Sequence, residues 1–215
     1  MIIGFAGKAA SGKTTAARHL LDLLEDKIVI LPMALMLREE VESFLRQVGA
    51  EEQVPLVFGD QNDKVRVFHV DEQQALAACP DWLGFIEANR DIQDPTGNTA
   101  VTIRRLLQWW GTEYRRAQDP DYWTKAWDKK LREYDLSTVH VLVDDVRFQN
   151  ELQIIKENGG VFARIERPGF NGANDHSSEN SLDNYENWDI LIRNDGDLEH
   201  FRQQVEELIL PLIED

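Results

Sequence analysis

The chain has 215 residues, of which 42% are hydrophobic and 29% charged, an ordinary composition for one large globular domain or two small ones. Aspartate and glutamate outnumber lysine and arginine by 39 to 23, so the formal net charge is −16. A surface this acidic is repelled by nucleic acid and by anionic membranes, and we expect neither as a partner. One cysteine, Cys79, excludes a disulfide framework and indicates a soluble protein of a reducing compartment, the cytoplasm.

Five short runs rich in β-branched residues alternate with helical patterns along the chain. Their apolar residues are continuous rather than alternating, which is typical of parallel strands covered by helices on both faces. The expected fold is therefore α/β, with a five-stranded parallel sheet flanked by helices. The predicted strands are residues 2–6, 28–31, 139–143, 161–165 and 189–192.

The helical patterns between these strands have apolar stripes and, in places, recognisable cap residues. We interpret the whole chain, residues 1–215, as a single domain, and the less regular residues 50–98 as an insertion in it. The predicted helices cover residues 14–24, 35–48, 119–134 and 150–158, and a last helix has a stripe of Leu198, Phe201, Val205, Leu208 and Ile209.

The segment between the first strand and the first helix reads G-K-A-A-S-G-K-T and fits the pattern G-x-x-x-x-G-K-[ST] of a phosphate-binding P-loop. Its glycines let backbone N–H groups face a β-phosphate, and the following helix contributes the positive end of its dipole. We expect Lys13 to reach the β- and γ-phosphates and the Thr14 hydroxyl to bind Mg²⁺. Lys8, inside the loop, is interpreted as a solvated side chain. The predicted ATP-binding residues of this segment are Gly7, Ala9, Ala10, Ser11, Gly12, Lys13, Thr14 and Thr15.

Two aspartates, Asp144 and Asp145, follow the strand sequence V-H-V-L-V. P-loop enzymes carry a carboxylate at such a position to organise Mg²⁺. We assign Asp145 to the metal and keep Asp144 as the alternative, because a shift of one residue in strand register exchanges the two. A solvated aspartate pair in a turn is the other interpretation.

A P-loop alone does not distinguish a kinase from a GTPase or a motor protein. The chain lacks the N/T-K-x-D segment with which GTPases read guanine, and it is short for a motor, which leaves a small phosphotransferase. Arginines near the ends of the predicted strands are candidates for a second anion site, because ligands of α/β folds bind at that edge. These candidates are Arg38, Arg104, Arg105, Arg115, Arg116, Arg147, Arg164 and Arg167.

Three further segments resemble the bacteriophage deoxynucleoside monophosphate kinases, a family within the P-loop nucleoside monophosphate kinases. They read R-L-L-Q-W-W-G-T-E at residues 105–113, D-V-R-F-Q-N-E at 145–151 and D-H-S-S-E at 175–179. The sequence N-D-G-D-L at 194–198 also resembles the end of that family. The resemblance covers most of the chain except residues 50–98, and its first two segments carry most of the weight.

The resemblance implies transfer of the ATP γ-phosphate to a deoxynucleoside monophosphate, with Mg²⁺, for viral DNA precursor synthesis in the host cytoplasm. It also implies a P-loop NTPase fold with an inserted, mostly helical substrate-binding region that includes residues 50–98. Residues 167–184 are the candidate lid over the phosphates. A homodimer is compatible with the family.

Residue roles follow from the same resemblance. The implied catalytic residues are Lys13, Arg147 and Arg167, with Arg164 as the alternative to Arg167. The implied acceptor-binding residues are Arg38, Arg105, Gln108, Arg147 and Glu151, and at most one of Trp109 and Trp110 stacks on the base. Asn194 and Asp195 are expected beside the donor adenine.

Two other functions remain open on the sequence. Another small-molecule P-loop kinase, such as a dephospho-coenzyme-A-kinase-like or sugar kinase, shares the donor site but not the deoxynucleotide acceptor. A nucleotide sensor binds ATP without turnover, although paired acceptor-side arginines argue against it.

Overall fold

The computed structural model describes residues 1–60, 62–89, 98–169 and 181–214. The chain forms two compact units, which we call the sheet unit (Met1–Met33 with Thr124–Asp215) and the aromatic unit (Ala34–Trp123). Most of the candidate lid, including the D-H-S-S-E segment at 175–179, lies outside the described residues. The interpretation as a single domain stays a prediction.

The chain alternates strands and helices. The strands are β1 (Ile2–Ala6), β2 (Ile28–Ile30), β3 (Val67–Asp71), β4 (Asn98–Thr102), β5 (His140–Val146), β6 (Val161–Glu166) and β7 (Ile190–Arg193). The helices are α1 (Lys13–Leu24), α2 (Leu35–Gln47), α3 (Val54–Phe58), α4 (Glu72–Ala78), α5 (Trp82–Ala88), α6 (Ile103–Gln108), α7 (Tyr122–Leu131), α8 (Gln149–Glu157) and α9 (Leu198–Glu214). A π-helix, Trp109–Arg116, continues α6.

The sheet unit contains a five-stranded parallel sheet in the order β2-β5-β1-β6-β7. All five predicted strands are present, and the α/β fold class is confirmed. The central strand β1 is buried over its whole length, as its continuous apolar sequence predicts. This order places the carboxyl ends of β5, β1 and β6 side by side at one edge of the sheet.

Helices α1 and α9 cover one part of this sheet. Ile3 and Phe5 of β1 belong to the same buried cluster as Leu20 of α1 and as Phe201 and Val205 of α9. The stripe predicted for α9 is wrong at two positions, because Leu198 is 52% exposed and Leu208 41% exposed. Leu198 stands at the start of the helix, where the loop from β7 enters.

The aromatic unit is built around stacked rings. The Phe44 and Trp82 centroids lie 4.9 Å apart, those of Trp82 and Phe85 4.4 Å apart, and Trp109 meets Trp110 edge to face at 6.0 Å. The antiparallel pair β3–β4 adds Phe68, Val70 and Val101 to the same core. Residues 50–98 are more regular than their sequence indicates, because their described part holds α3, α4, α5 and β3.

No helix within the described ranges is long and apolar enough to cross a membrane.

Candidate functional site

The segment that joins β1 to α1, residues 7–12, is called the phosphate loop here after its sequence pattern. Its conformation depends on two glycines in the positive-φ region. Gly7 has φ +146° and Gly12 φ +116°. A Cβ atom on Gly7 would lie 2.4 Å from the Ile165 carbonyl oxygen, and one on Gly12 would lie 2.9 Å from both Asn194 Nδ2 and Phe201 Cζ. Because any side chain would be strained and would also collide, both positions require glycine.

The lysine at the start of α1 is folded back over this loop. Lys13 is buried, and its Nζ donates to the Gly7 carbonyl at 2.7 Å and to the Lys8 carbonyl at 2.9 Å. These carbonyl dipoles partly compensate the buried ammonium charge. The ammonium therefore lies within the segment that the sequence pattern assigns to phosphate binding. Phosphate oxygens are stronger hydrogen-bond acceptors than these carbonyl oxygens.

Two predicted residues from distant parts of the sequence contact the loop backbone. Asn194 donates from Nδ2 to the Ser11 carbonyl at 2.8 Å, and its own N–H donates to the Glu166 carbonyl at 2.7 Å. Arg167 donates from Nη1 to the Ala10 carbonyl at 3.1 Å. The structure therefore places Arg167 and Asn194 against the loop and ties the loop to the ends of β6 and β7, while their proposed roles toward ATP stay predictions.

A cleft of about 400 Å³ opens beside the loop. Thr14 and Thr15 expose their side chains, and the exposed Leu198 and the buried Phe201 add apolar surface to its wall. Polar groups next to apolar surface in a cleft of this size suit a nucleotide. The lining residues are Ala10, Gly12, Lys13, Thr14, Thr15, Arg167, Asn194, Gly196, Leu198 and Phe201. Asp195 is not among them, and its Oδ1 lies 3.9 Å from His200 Nε2.

The aspartate pair lies at the end of β5, where the sheet register is irregular. Gly4 pairs with Val143 but Ala6 pairs with Val146, so β5 holds one extra residue at this point. Asp145 Oδ1 accepts the N–H of Met33, three residues after the end of β2, at 2.7 Å. This contact orients the Asp145 carboxylate at the end of β5.

No group of three or more His, Cys, Asp or Glu side chains suited to a metal exists in the part of the chain that the structure describes. A Mg²⁺ ion bound to nucleotide needs only one or two protein ligands, because phosphate oxygens and water supply the rest. The hydroxyl of Thr14 and the carboxylate of Asp145 are oxygen ligands of the kind that Mg²⁺ prefers. Their assignment to the metal, and the choice between Asp144 and Asp145, stay predictions.

The turn after β5 is built on a buried carboxylate. Glu151 is 2% exposed, and its Oε2 accepts the N–H groups of Arg147 at 2.7 Å and Phe148 at 3.1 Å. A carboxylate in the first turn of α8 satisfies backbone donors there and also interacts favourably with the helix dipole. Glu151 therefore positions Arg147, and its predicted contact with substrate stays a prediction.

Lys8, Arg147 and Arg164 line a second, much smaller cavity of about 20 Å³ at the carboxyl ends of β1, β5 and β6. Arg164 donates from Nε to Glu166 Oε1 at 3.0 Å. Lys8 is not solvated as expected: it is 21% exposed, and its Nζ lies 2.5 Å from Asp183 Oδ1. A local cluster of cations thus exists beside the phosphate loop in a strongly acidic chain.

The remaining acceptor-side candidates, Arg38, Arg105 and Gln108, lie in the aromatic unit and are half-buried. Among the described residues, the side chains of Arg38 and Gln108 make no hydrogen bond or ion pair. Trp109 and Trp110 are both buried in the aromatic core.

Sequence reasoning missed a polar cluster in the aromatic unit that is centred on Glu40. Its carboxylate accepts from Trp110 Nε1 at 2.8 Å, Arg115 Nε at 2.8 Å and the Tyr122 hydroxyl at 2.5 Å. Burial, and then the hydrogen bond to Glu40, raise the pKa of Tyr122. The donors are 70 to 82 positions away from Glu40, so no local motif could have indicated the cluster.

Comparison with known proteins decides between the kinase families that share such a loop. The deoxynucleotide monophosphate kinase family profile matches residues 61–205, more than half of the chain. The chain belongs to the deoxynucleotide monophosphate kinase family. The resemblance noted in the sequence is therefore confirmed.

Two relatives support this membership. A protein of Acanthamoeba polyphaga mimivirus, provisionally named deoxynucleotide monophosphate kinase, is 29% identical over 219 residues, which covers 95% of this chain and 94% of the relative. The deoxynucleotide monophosphate kinase of Escherichia phage RB69 is 29% identical over 114 residues, covering 52% of this chain and 46% of the phage protein. The family profile begins after the phosphate loop, whereas the mimivirus match extends over nearly the whole chain.

Proposed function

We propose that this protein transfers the γ-phosphate of ATP to deoxynucleoside monophosphates, and that the diphosphates serve viral DNA synthesis. The observation that carries the proposal is the phosphate loop, whose glycines are fixed by contact and whose Lys13 lines a cleft of nucleotide size. Family membership and two viral relatives with this name support the choice of acceptor.

On the donor side, Lys13 exchanges its contacts with the Gly7 and Lys8 carbonyls for the β- and γ-phosphates of ATP. Thr14 and Asp145 are the proposed ligands of Mg²⁺, which neutralises phosphate charge when bound. Arg167 lies against the loop backbone and is the proposed cation for the transferred group. Asn194 holds the loop in place from the adenine side, and Asp195 keeps its proposed role next to it.

On the acceptor side, Arg147 is the proposed ligand of the monophosphate, and Glu151 fixes the turn that carries it. Arg38, Arg105 and Gln108 are the proposed acceptor-binding residues of the aromatic unit. An oxygen of the acceptor phosphate attacks the γ-phosphorus of ATP while the bond to the β-phosphate oxygen breaks, and ADP leaves. The chain needs no general base, because that phosphate oxygen is already anionic near neutral pH.

The test is ADP release from MgATP with each of the four common deoxynucleoside monophosphates in turn, against a blank without acceptor. We expect ADP release that depends on the acceptor for one or more bases. The Lys13→Ala variant should lower kcat by about 1,000-fold. Lys130→Ala, a change of the same kind at a half-buried lysine paired with the exposed Glu133, is the matched control and should match the wild type.

A flat response with every acceptor, while ATP still raises the melting temperature, would refute the deoxynucleotide assignment. Turnover with dephospho-coenzyme A or a sugar would then favour another small-molecule kinase. Binding of ATP without turnover of any acceptor would favour a sensor.

A further inference from the structure

The phosphate-loop pattern accepts any residue at the position of Lys8, so the pattern itself gives this lysine no role. In the structure Lys8 Nζ lies 2.5 Å from Asp183 Oδ1, with exposed fractions of 21% for the lysine and 44% for the aspartate. The backbone before it is fixed, because Gly7 lies against the Ile165 carbonyl. The lysine side chain is therefore anchored in the loop and bound to a carboxylate that follows it by 175 positions.

The surroundings of this ion pair are those of an anion site. Lys8 lines the cavity of about 20 Å³ together with Arg147 and Arg164, and Asp183 lines it as well. A volume this small holds about one water molecule, so a phosphate group cannot enter while the pair is closed. Three cations beside a phosphate loop, with a carboxylate among them, favour exchange of that carboxylate for a stronger anion.

The carboxylate belongs to a segment held by two further contacts. Ser181 Oγ donates to the Arg147 carbonyl at 2.7 Å, and Arg164 Nη1 donates to the Leu182 carbonyl at 3.4 Å. The backbone that carries Asp183 is therefore held beside Lys8 by hydrogen bonds with Arg147 and Arg164, which line the same cavity.

We propose that Lys8 is a second phosphate-binding lysine of the loop, and that Asp183 is its counter-ion when no phosphate is present. When a terminal phosphate enters, the ammonium leaves Asp183 and donates to phosphate oxygens; its proton stays on Nζ and no covalent bond changes. The inference deepens the proposed function and rests on it for the identity of the nucleotide. Donor and acceptor phosphates share this chemistry, and the experiment separates them.

The expected change in phosphate affinity follows from the competition between Asp183 and phosphate for the Lys8 ammonium. A partly exposed lysine–carboxylate pair is worth less than about fivefold in an equilibrium constant. Removing the competing carboxylate should therefore tighten phosphate binding by about threefold. Removing the lysine deletes a charge-assisted contact and should weaken binding by about tenfold.

The experiment is calorimetric titration of the full chain with inorganic tripolyphosphate and, separately, with a deoxynucleoside monophosphate. The variants are Asp183→Asn, Lys8→Ala and the double variant, with Lys130→Ala again as the control lysine. We expect tighter binding of at least one probe by Asp183→Asn, weaker binding of the same probe by Lys8→Ala, and a double variant equal to Lys8→Ala. An effect on tripolyphosphate assigns Lys8 to the donor, and an effect on the monophosphate assigns it to the acceptor.

Two results would overturn the inference. One is unchanged binding of both probes by Lys8→Ala. The other is tightening by Asp183→Asn that persists in the double variant, since that would be a general effect of removing negative charge. If Lys8→Ala does not fold, Asp183→Asn decides alone, and unchanged or weaker binding of both probes by it would reject the exchange. Tripolyphosphate binding needs no turnover, so an enzyme inactive on every deoxynucleotide would refute the proposed function without deciding this test.

Discussion

The candidate residues of the two units differ in what they contact. In the sheet unit Lys13, Arg167 and Asn194 all donate hydrogen bonds to carbonyls of the phosphate loop, so the side chains proposed to act on ATP also hold the loop. In the aromatic unit, the side chains of Arg38 and Gln108 make no hydrogen bond or ion pair with described residues. If Arg38 and Gln108 bind the acceptor, as we propose, the acceptor supplies contacts that the described residues do not, whereas the phosphate loop is preorganised by its own hydrogen bonds.

The two units also differ in how tightly their backbone and side chains are packed around the candidate residues. The loop glycines leave no space for a Cβ atom, whereas in the aromatic unit Glu40 accepts hydrogen bonds from Trp110, Arg115 and Tyr122 in a polar cluster. We therefore expect substitutions in the phosphate loop to act on ATP, and substitutions in the aromatic unit to act on the acceptor or on stability. Single substitutions in each unit test this difference.

The largest expected effect comes from Gly7→Ala. Alanine at φ +146° is strained, and its Cβ would lie 2.4 Å from a carbonyl oxygen, so we expect a loss of about 3 kcal/mol in the free energy of unfolding and loss of ATP binding. The matched control is Gly159→Ala, which has φ +75° and no atom within 4 Å of the added Cβ, and should cost about 1 kcal/mol. Urea unfolding and ATP titration measure both. Equal costs at the two positions would contradict the argument from contact.

The second prediction compares arginines of the two units. Arg147→Ala should lower kcat/KM for the monophosphate by about 100-fold, and Arg38→Ala should raise its KM by about tenfold, with the KM for ATP unchanged in both. Arg132→Ala, an exposed arginine paired with Asp128 on α7, is the control and should leave steady-state kinetics unchanged. Wild-type kinetics in Arg147→Ala would remove this residue from the acceptor site.

The loop between β1 and α1 was predictable from sequence because its residues are consecutive. Gly7 to Thr14 form one local motif, and the continuous apolar runs identify the strands that carry it. The proposed roles of Asn194 and Arg167 rest on a family resemblance, and no local motif could indicate their contacts with the loop, which span 183 and 157 positions.

Other features could not be predicted for identifiable physical reasons. The extra residue in β5 makes simple alternation unreliable at Asp144 and Asp145. The buried Glu151 satisfies backbone N–H groups, and a sequence motif does not distinguish that task from substrate binding. Leu198 on α9 is exposed because it lines the cleft. The spacing of apolar residues along a helix does not indicate the position of a cleft.

The third prediction concerns the Glu40 cluster of the aromatic unit. Glu40→Gln keeps the shape of the side chain but removes the charge that strengthens three hydrogen bonds, so we expect a loss of about 2 kcal/mol of stability. Glu42→Gln on the same helix, whose partner Arg46 is exposed, should cost less than about 0.5 kcal/mol. Tryptophan fluorescence during urea unfolding reports the change. ATP affinity should be the same in both variants, and a large shift in it would contradict the separation of the two units' roles.

The smallest effect is a pH dependence that originates in the same cluster. Burial and the hydrogen bond to Glu40 raise the pKa of Tyr122 above its ordinary value, so the folded protein keeps this proton after the unfolded chain has lost it. The stability that the raised pKa contributes is complete below pH of about 10 and is lost as the pH rises through the folded value. Burial also raises the pKa of Tyr114 and Tyr185, so these two residues add to the same fall of stability with rising pH.

Tyr122→Phe should therefore be about 1 kcal/mol less stable than the wild type at pH 7 and should lose less stability between pH 9 and 11. Urea midpoints across that range measure the difference, and parallel pH profiles for the two proteins would show that Tyr122 titrates alike in the folded and unfolded chain.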